Sequence, residues 1–140
     1  SCLLRYERYR IIVEKTLWYL HGIEYIIDAF VIMPNHLHMI LLLLPGANLK
    51  EIIKGWKGVS SYEINKIRNA QDSFWQRDYW DRIIRNDVHY HKFRRYILNN
   101  PIKAGLLPHE YSLYLSQDSW QHGVYCPWRL GGQECPPSKD

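Results

Sequence analysis

Two apolar runs separated only by Pro34 and Asn35 constrain the fold of this chain most. The first run, Tyr25–Met33, is rich in Ile, Val and aromatic residues, and the second, residues 36–44, ends in one isoleucine and four leucines. Such residues favour β-strands, and so short a break favours an antiparallel hairpin. Because the second run is apolar at consecutive positions, we expect it to be buried on both faces, as a central strand is.

Helical patterns on either side of this hairpin predict an α+β fold. Residues 4–20 have the periodicity of an amphipathic helix, and Asn48 is a plausible N-cap for a helix over residues 49–69. A third helix is predicted over residues 87–98, and Pro101 is expected to stop it or to begin a new turn. The expected architecture is an antiparallel sheet with helices packed on it.

The 140 residues suit one domain, and the composition changes near Ser116. Beyond that residue Pro and Gly cluster and no periodic pattern remains. We therefore expect residues 1–115 to form the folded domain and residues 116–140 to form an irregular or flexible tail.

The net charge and the cysteines limit the possible binding partners and the cellular compartment. A net charge of +4 permits a nucleic-acid partner without demanding one. The three cysteines match no zinc-finger spacing, so a reducing, cytoplasmic setting is the default expectation. Since polar residues interrupt the longest apolar run, we expect no membrane-spanning segment.

The sequence Met-Pro-Asn-His-Leu-His places His36 and His38 two residues apart on the second predicted strand. Alternate residues of a strand share a face, so two imidazoles would project side by side and could bind one metal ion. A pair of hydrogen-bonded structural histidines would have the same spacing. The same spacing also occurs in zinc hydrolases. A zinc hydrolase needs a third strong ligand and a base, and Glu24 and Asp28 are the carboxylates nearest to the histidines in sequence.

Tyr96 and Asn100 lie four residues apart on the third predicted helix, and therefore on one helix face. A phenol can act as a covalent nucleophile when a metal prepares its target, and the amide oxygen of Asn100 could reach the same metal. The alternative is an ordinary helix tyrosine that is half buried in the core.

Three segments, AFVIMPNHLHMILLL, FWQRDYWDRIIRND and RRYILNNPIKAGLL, occur here in this order. Together they resemble the REP-associated tyrosine transposases, which are relatives of the insertion-sequence transposases of the single-tyrosine HUH class. HUH stands for His, a hydrophobic residue and His, which here are His36, Leu37 and His38. The resemblance covers about residues 20 to 115. It implies a ferredoxin-like or RRM-like core. Family members usually begin with another strand beside the HUH strand; this chain is expected to lack it, which would expose a sheet edge.

The resemblance also implies a mechanism. His36 and His38 would hold Mg²⁺ or Mn²⁺, and Asn100 would replace the glutamine that completes the metal site in insertion-sequence relatives. Tyr96 would attack single-stranded, hairpin-flanked DNA to leave a 5′-phosphotyrosine link and a free 3′-hydroxyl. The alternative is a catalytically impaired module that only binds single-stranded nucleic acid. The resemblance leaves open a monomer or a homodimer.

Basic and aromatic residues that alternate along the chain predict a surface for single-stranded DNA. Basic side chains follow a phosphate backbone, and aromatic rings stack on unpaired bases. A solvated charged face with a small aromatic core is the alternative. The basic candidates are Lys54, Lys57, Arg77, Arg82, Arg94, Arg95 and Lys103, and the aromatic ones are Trp56, Tyr62, Phe74, Trp75, Tyr79 and Trp80.

Overall fold

A computed structural model describes residues 2–72, 75–76, 81–117 and 123–129, without the side chains of residues 126–129. Helices and an antiparallel sheet confirm the predicted α+β class. The elements of the described residues are α1 (Glu7–Trp18), β1 (Tyr25–Met33), β2 (His36–Leu43), α2 (Leu49–Arg68), β3 (Arg82–Ile84), α3 (Asp87–Lys103), β4 (Ser112–Leu115) and β5 (Gly123–Arg129), with short 3₁₀ turns at Leu3–Arg5 and Pro108–Glu110.

The sheet has the strand order β3-β5-β2-β1-β4, with antiparallel pairing throughout. The predicted hairpin is β1 and β2, and β2 is the central strand, as its apolar run predicts. Leu37 and Met39 pack in one core with α1 and α2, whereas Ile40 packs in a second core with α3. The helices therefore cover both faces of the sheet, and α3 lies on the face towards which the even-numbered residues of β2 point.

A β-bulge at Asp28 changes which side chains of β1 face each core. Pairing with β2 is regular as far as Ile27, omits Asp28 and resumes at Ala29. As a result Ile27 and Phe30 share the core of α1 and α2, although a regular strand would put residues three apart on opposite faces. The bulged carboxylate is the point at which α3 is tied to the sheet, as described below.

Part of the segment predicted to be an irregular tail is instead a strand inside the sheet. Gly123–Arg129 forms β5, which pairs with β2 along its length and with β3 at Gly123–Tyr125. Pro127 argues against a strand in the sequence, because proline disfavours positions inside a sheet. In the structure it lies beyond the end of β3, where β5 pairs with β2 alone among the described strands. An exposed edge beside β2 was expected; β5 covers it, because strand pairing can join segments that are distant in sequence.

The third helix runs five residues beyond its predicted end, from Asp87 to Lys103, with Pro101 in its last turn. A proline inside a helix removes one backbone hydrogen bond, but here Pro101 is buried and only two helical residues follow it. Gly105, at φ 70°, then reverses the chain, and the Leu106 N–H donates to the Pro101 carbonyl at 3.0 Å. The prediction that Pro101 stops the helix or begins a new turn was therefore wrong.

The other two helices follow the sequence closely. Asn48 caps α2 as predicted, since its side-chain oxygen accepts the Glu51 N–H at 3.2 Å. The helix predicted over residues 4–20 is divided into the turn Leu3–Arg5 and α1. Cys2, which precedes that turn, is disulfide-bonded, which departs from the expectation of a reducing setting. None of the helices in the described ranges is long and apolar enough to cross a membrane.

Candidate active site

The first residues of β2 present two histidines next to each other on the α3 side of the sheet. Their ring centroids are 4.8 Å apart, and the ring planes are nearly perpendicular, at 85°. His36 is partly exposed, whereas His38 is only 2% exposed. Leu37, between them, is buried in the opposite core. The alternation predicted from the sequence thus places both imidazoles in one small volume.

Each ring is oriented through its Nδ1 atom. His36 Nδ1 lies 2.6 Å from the Asn35 side-chain oxygen, and His38 Nδ1 lies 2.7 Å from the Tyr125 hydroxyl. With the Asn35 amide oxygen as the acceptor, a neutral His36 carries its proton on Nδ1 and its lone pair on Nε2. This is the tautomer in which a histidine binds a metal through Nε2 while a neighbouring group holds Nδ1.

Helix α3 brings Tyr96 to the histidines. The Tyr96 ring meets His38 edge-on, with centroids 5.2 Å apart and planes at 84°. Phe93 and Ile97, on the adjoining side of α3, pack in the core between α3 and the sheet and fix the position of the helix. Tyr96 itself is 44% exposed, so its hydroxyl-bearing ring is accessible from solvent while it contacts a buried histidine. The structure therefore brings together three of the four predicted catalytic and metal-binding residues.

Asn100, the fourth, lies one helical turn after Tyr96 and is half buried. Its backbone carbonyl accepts the Ala104 N–H at 3.1 Å in the last turn of α3. Within the described ranges, no group of three His, Cys, Asp or Glu side chains is arranged to hold a metal. The two imidazoles are the possible metal ligands that the described contacts bring together, and Asn100 follows one turn after Tyr96 on α3.

Asp28 is committed elsewhere, so it is not available as the third ligand that a zinc hydrolase would need. Its carboxylate accepts hydrogen bonds from the Tyr90 hydroxyl at 2.8 Å and from the Ser116 hydroxyl at 2.7 Å. It also forms an ion pair with Arg94 at 2.8 Å. Burial and the hydrogen bond to Asp28 raise the pKa of Tyr90 to about 12. This cluster joins α3 to the bulge of β1 and to the residue after β4.

Arg94, which the sequence predicts to contact DNA, is instead bound within the protein. One Nη atom is bound to Asp28, and the other donates to the Ser116 carbonyl at 2.7 Å. Its side chain is 13% exposed. Burial lowers the pKa of Arg94, but the hydrogen bond and charge of Asp28 outweigh it and raise the pKa above its ordinary value. Arg94 thus faces the sheet, and contact with DNA stays a prediction that this placement does not favour.

The remaining basic candidates are distributed over both faces of the sheet. Arg95 and Lys103 are exposed on α3, and Arg82 is exposed on β3, on the same face as buried Ile84. Lys54 is exposed on α2, which packs on the opposite face from Tyr96. On the same helix, the Lys57 ammonium donates to the Gln76 carbonyl at 2.8 Å. Arg77 lies outside the described residues.

The aromatic candidates divide between core and surface. Trp56 is buried and donates to the Tyr25 hydroxyl at 3.0 Å, and Trp75 is buried and donates to the Ser60 hydroxyl at 2.9 Å. These two are core residues, and for Trp75 this is the alternative of a small aromatic core. Tyr62 is 66% exposed and could stack on a base. The other three, Phe74, Tyr79 and Trp80, lie outside the described residues.

Two residues at the site are not predicted from the sequence. Asn35 lies in the break between the strands, and its side-chain oxygen contacts the ring of His36. Tyr125 lies in the segment that the sequence predicts to be an irregular tail. Val124 and Tyr125 favour a strand, but the proline two residues later hid the signal.

Comparison with known proteins identifies a family whose match spans most of these elements. Residues 7–100 match the family described as "Transposase IS200 like", which covers α1 to most of α3 and includes both histidines, Tyr96 and Asn100. The chain is also 34% identical to an uncharacterized protein of Haemophilus influenzae, over 54% of each chain, so it spans about half the length of that curated relative. No solved structure matches it. Since the family match covers well over half of the residues, this chain belongs to the IS200-like transposase family.

Proposed function

We propose that this protein is a metal-dependent transposase that nicks and rejoins single-stranded, hairpin-flanked DNA through a 5′-phosphotyrosine intermediate. The observation that carries the proposal is the contact between the ring of Tyr96 and that of His38, with His36 beside it. A solvent-accessible phenol next to two imidazoles is an arrangement suited to nucleophilic attack at a phosphate. Family membership supports DNA as the substrate class.

His36 and His38 would bind the cation through Nε2, and Asn100 would add an amide oxygen. All three donors are neutral, and they are types of ligand that divalent cations accept. The tautomer required at His36 follows from its hydrogen bond to Asn35, so the residues present fit such a group. Mg²⁺ or Mn²⁺ bound there would polarise the scissile phosphate and stabilise the charge that develops on it.

The covalent step is an in-line displacement at phosphorus. The Oη atom of Tyr96 forms the new P–O bond, the bond from phosphorus to the 3′-oxygen breaks, and the phenolic proton passes to solvent while the leaving 3′-oxygen takes one up. The DNA then carries a 5′-phosphotyrosine and a free 3′-hydroxyl. Because one phosphodiester has replaced another, a second 3′-hydroxyl can reverse the step without ATP.

The segment RRYILNNPIKAGLL supports the REP-associated branch in particular, since Asn100 stands where insertion-sequence relatives have glutamine. For the DNA path, the predicted basic residues that are exposed on α3 are the best candidates. Arg95 and Lys103 lie on the same helix as the nucleophile and would contact phosphates. Arg82 would extend this contact along the edge strand β3. A monomer or a homodimer is compatible with this path.

The test is a search for a covalent adduct. The protein is incubated with Mn²⁺ and a pool of hairpin oligonucleotides that carry a label at the 3′ end, and the products are separated on a denaturing gel. We expect label to run with the protein, because the 3′-labelled fragment is the one joined through its 5′-phosphate. The adduct should disappear with a chelator and in Tyr96→Phe, but persist in Tyr19→Phe, whose tyrosine is 80% exposed at the end of α1.

Other outcomes would point to other activities. Cleavage without an adduct would indicate a hydrolase. Binding of the hairpins with neither cleavage nor adduct would indicate the catalytically impaired binding module. An adduct that persists in Tyr96→Phe would assign the nucleophile to another residue.

A further inference from the structure

Tyr125 contacts the candidate metal site from a part of the chain that the family match does not cover. The match ends at residue 100, whereas Tyr125 is on β5, between β2 and β3. Its hydroxyl lies 2.7 Å from His38 Nδ1, and its ring is 3% exposed. A buried hydroxyl at hydrogen-bond distance from an imidazole nitrogen restricts the rotation of that ring, and it can either accept from an Nδ1–H or donate to an unprotonated Nδ1.

The packing around Tyr125 holds it firmly in this position. Its ring is stacked on Phe93 of α3, with centroids 4.4 Å apart and planes at 14°. Its ring is also nearly parallel to that of His38, with centroids 5.8 Å apart and planes at 7°. The strand register places Tyr125 opposite Ile40, which lies in the same core. The hydroxyl is thus fixed by a helix and a strand, and not by a loop.

We propose that Tyr125 is a positioning residue that accepts the Nδ1–H of His38 and thereby presents the Nε2 lone pair of His38 to the divalent cation. Asn35 holds His36 in the equivalent way, through an oxygen on Nδ1. The two rings of the pair therefore have separate orienting groups, one from the turn before β2 and one from the C-terminal strand. Groups that hold a ligating histidine in this way typically contribute about 10- to 100-fold to metal affinity.

This inference rests on the proposed function as far as the metal is concerned, but the state of the His38 ring can be measured without metal or DNA. Long-range ¹H–¹⁵N NMR of the metal-free protein, at mildly alkaline pH where imidazoles are neutral, distinguishes a proton on Nδ1 from one on Nε2. We expect His38 to be the Nδ1–H tautomer in the wild type. In Tyr125→Phe, which keeps the ring stacked on Phe93, we expect a mixture or the Nε2–H form.

The second measurement is Mn²⁺ affinity by calorimetry in the absence of DNA. We expect Tyr125→Phe to weaken binding about 10-fold or more, and Tyr114→Phe to leave it unchanged. Tyr114 is a matched control because it is also a strand tyrosine, but it packs against Trp18 and Phe30 in the opposite core.

The outcomes separate the two proposals. An Nε2–H tautomer in the wild type, or the same tautomer in wild type and Tyr125→Phe, overturns the role of Tyr125 whatever the protein does with DNA. A wild type that binds no divalent cation overturns the proposed function, while the NMR result still decides how Tyr125 acts on His38. If Tyr125→Phe fails to fold, the wild-type spectrum alone decides the tautomer.

Discussion

Arg94 and Arg95 are neighbours in sequence, yet the structure places them in different environments, and the consequence of that difference can be tested quantitatively. Arg94 is bound to the bulged Asp28 and to Ser116, whereas Arg95 is exposed on α3. We predict that Arg94→Met destabilises the fold and leaves DNA contacts intact, and that Arg95→Met does the reverse. Methionine is used because it retains an unbranched apolar stem and removes the charge.

The magnitude follows from what Arg94→Met leaves behind. The substitution removes charged hydrogen bonds of 2.8 Å to Asp28 and 2.7 Å to the Ser116 carbonyl. Removing one partner of a fully buried ion pair lowers the free energy of unfolding by about 3–5 kcal/mol, because the remaining charge is left buried without its partner. The two side chains are 13% and 16% exposed, so water can reach the remaining carboxylate in part. We therefore expect the free energy of unfolding to fall by about 2–3 kcal/mol.

Urea unfolding followed by tryptophan fluorescence measures the first effect, and hairpin binding by anisotropy at several salt concentrations measures the second. For Arg95→Met we expect a change in unfolding free energy within about 0.5 kcal/mol. The slope of log affinity against log salt should decrease by about 1 for Arg95→Met, as it does when one phosphate contact is lost, and should not change for Arg94→Met. The reasoning is refuted if Arg94→Met is as stable as the wild type and lowers the salt slope.

Two further predictions address the cluster at Asp28 and the position of β5. The raised pKa of Tyr90 means that the folded state holds the phenolic proton more tightly than the unfolded state. The free energy of unfolding should therefore fall as the pH rises from 10.0 towards about 12. Tyr90→Phe should flatten that part of the curve of stability against pH, and an unchanged curve would contradict the burial of this phenol. A Cβ at Gly123 would approach the Leu41 carbonyl oxygen to 3.0 Å, so Gly123→Ala should lower the free energy of unfolding by about 1–3 kcal/mol. In Gly58→Ala, where a Cβ has open space in the middle of α2, we expect a gain of about 0.5–1 kcal/mol; equal effects at the two glycines would show that β5 does not lie against β2.

The hairpin and the helix patterns were predictable because they depend on local chemistry. The apolar run of β2, the break at Pro34 and Asn35, and the cap at Asn48 each act within a few residues. The spacing of His36 and His38 likewise determines that they share a strand face, whatever surrounds them. The same holds for Tyr96 and Asn100 on one side of α3.

What only the tertiary structure decided involves partners that are far apart along the chain. No local pattern shows that Arg94 binds the carboxylate of a bulge 66 residues earlier, or that Tyr125 meets a histidine 87 residues before it. The pairing of β5 with β2 depends on which strand edge is available once the rest of the sheet has formed. The sequence by itself therefore determined the residues that could carry the chemistry and the face on which each would lie. The three-dimensional packing decided which of them meet, because contact between distant segments depends on the whole sheet and not on any one stretch of it.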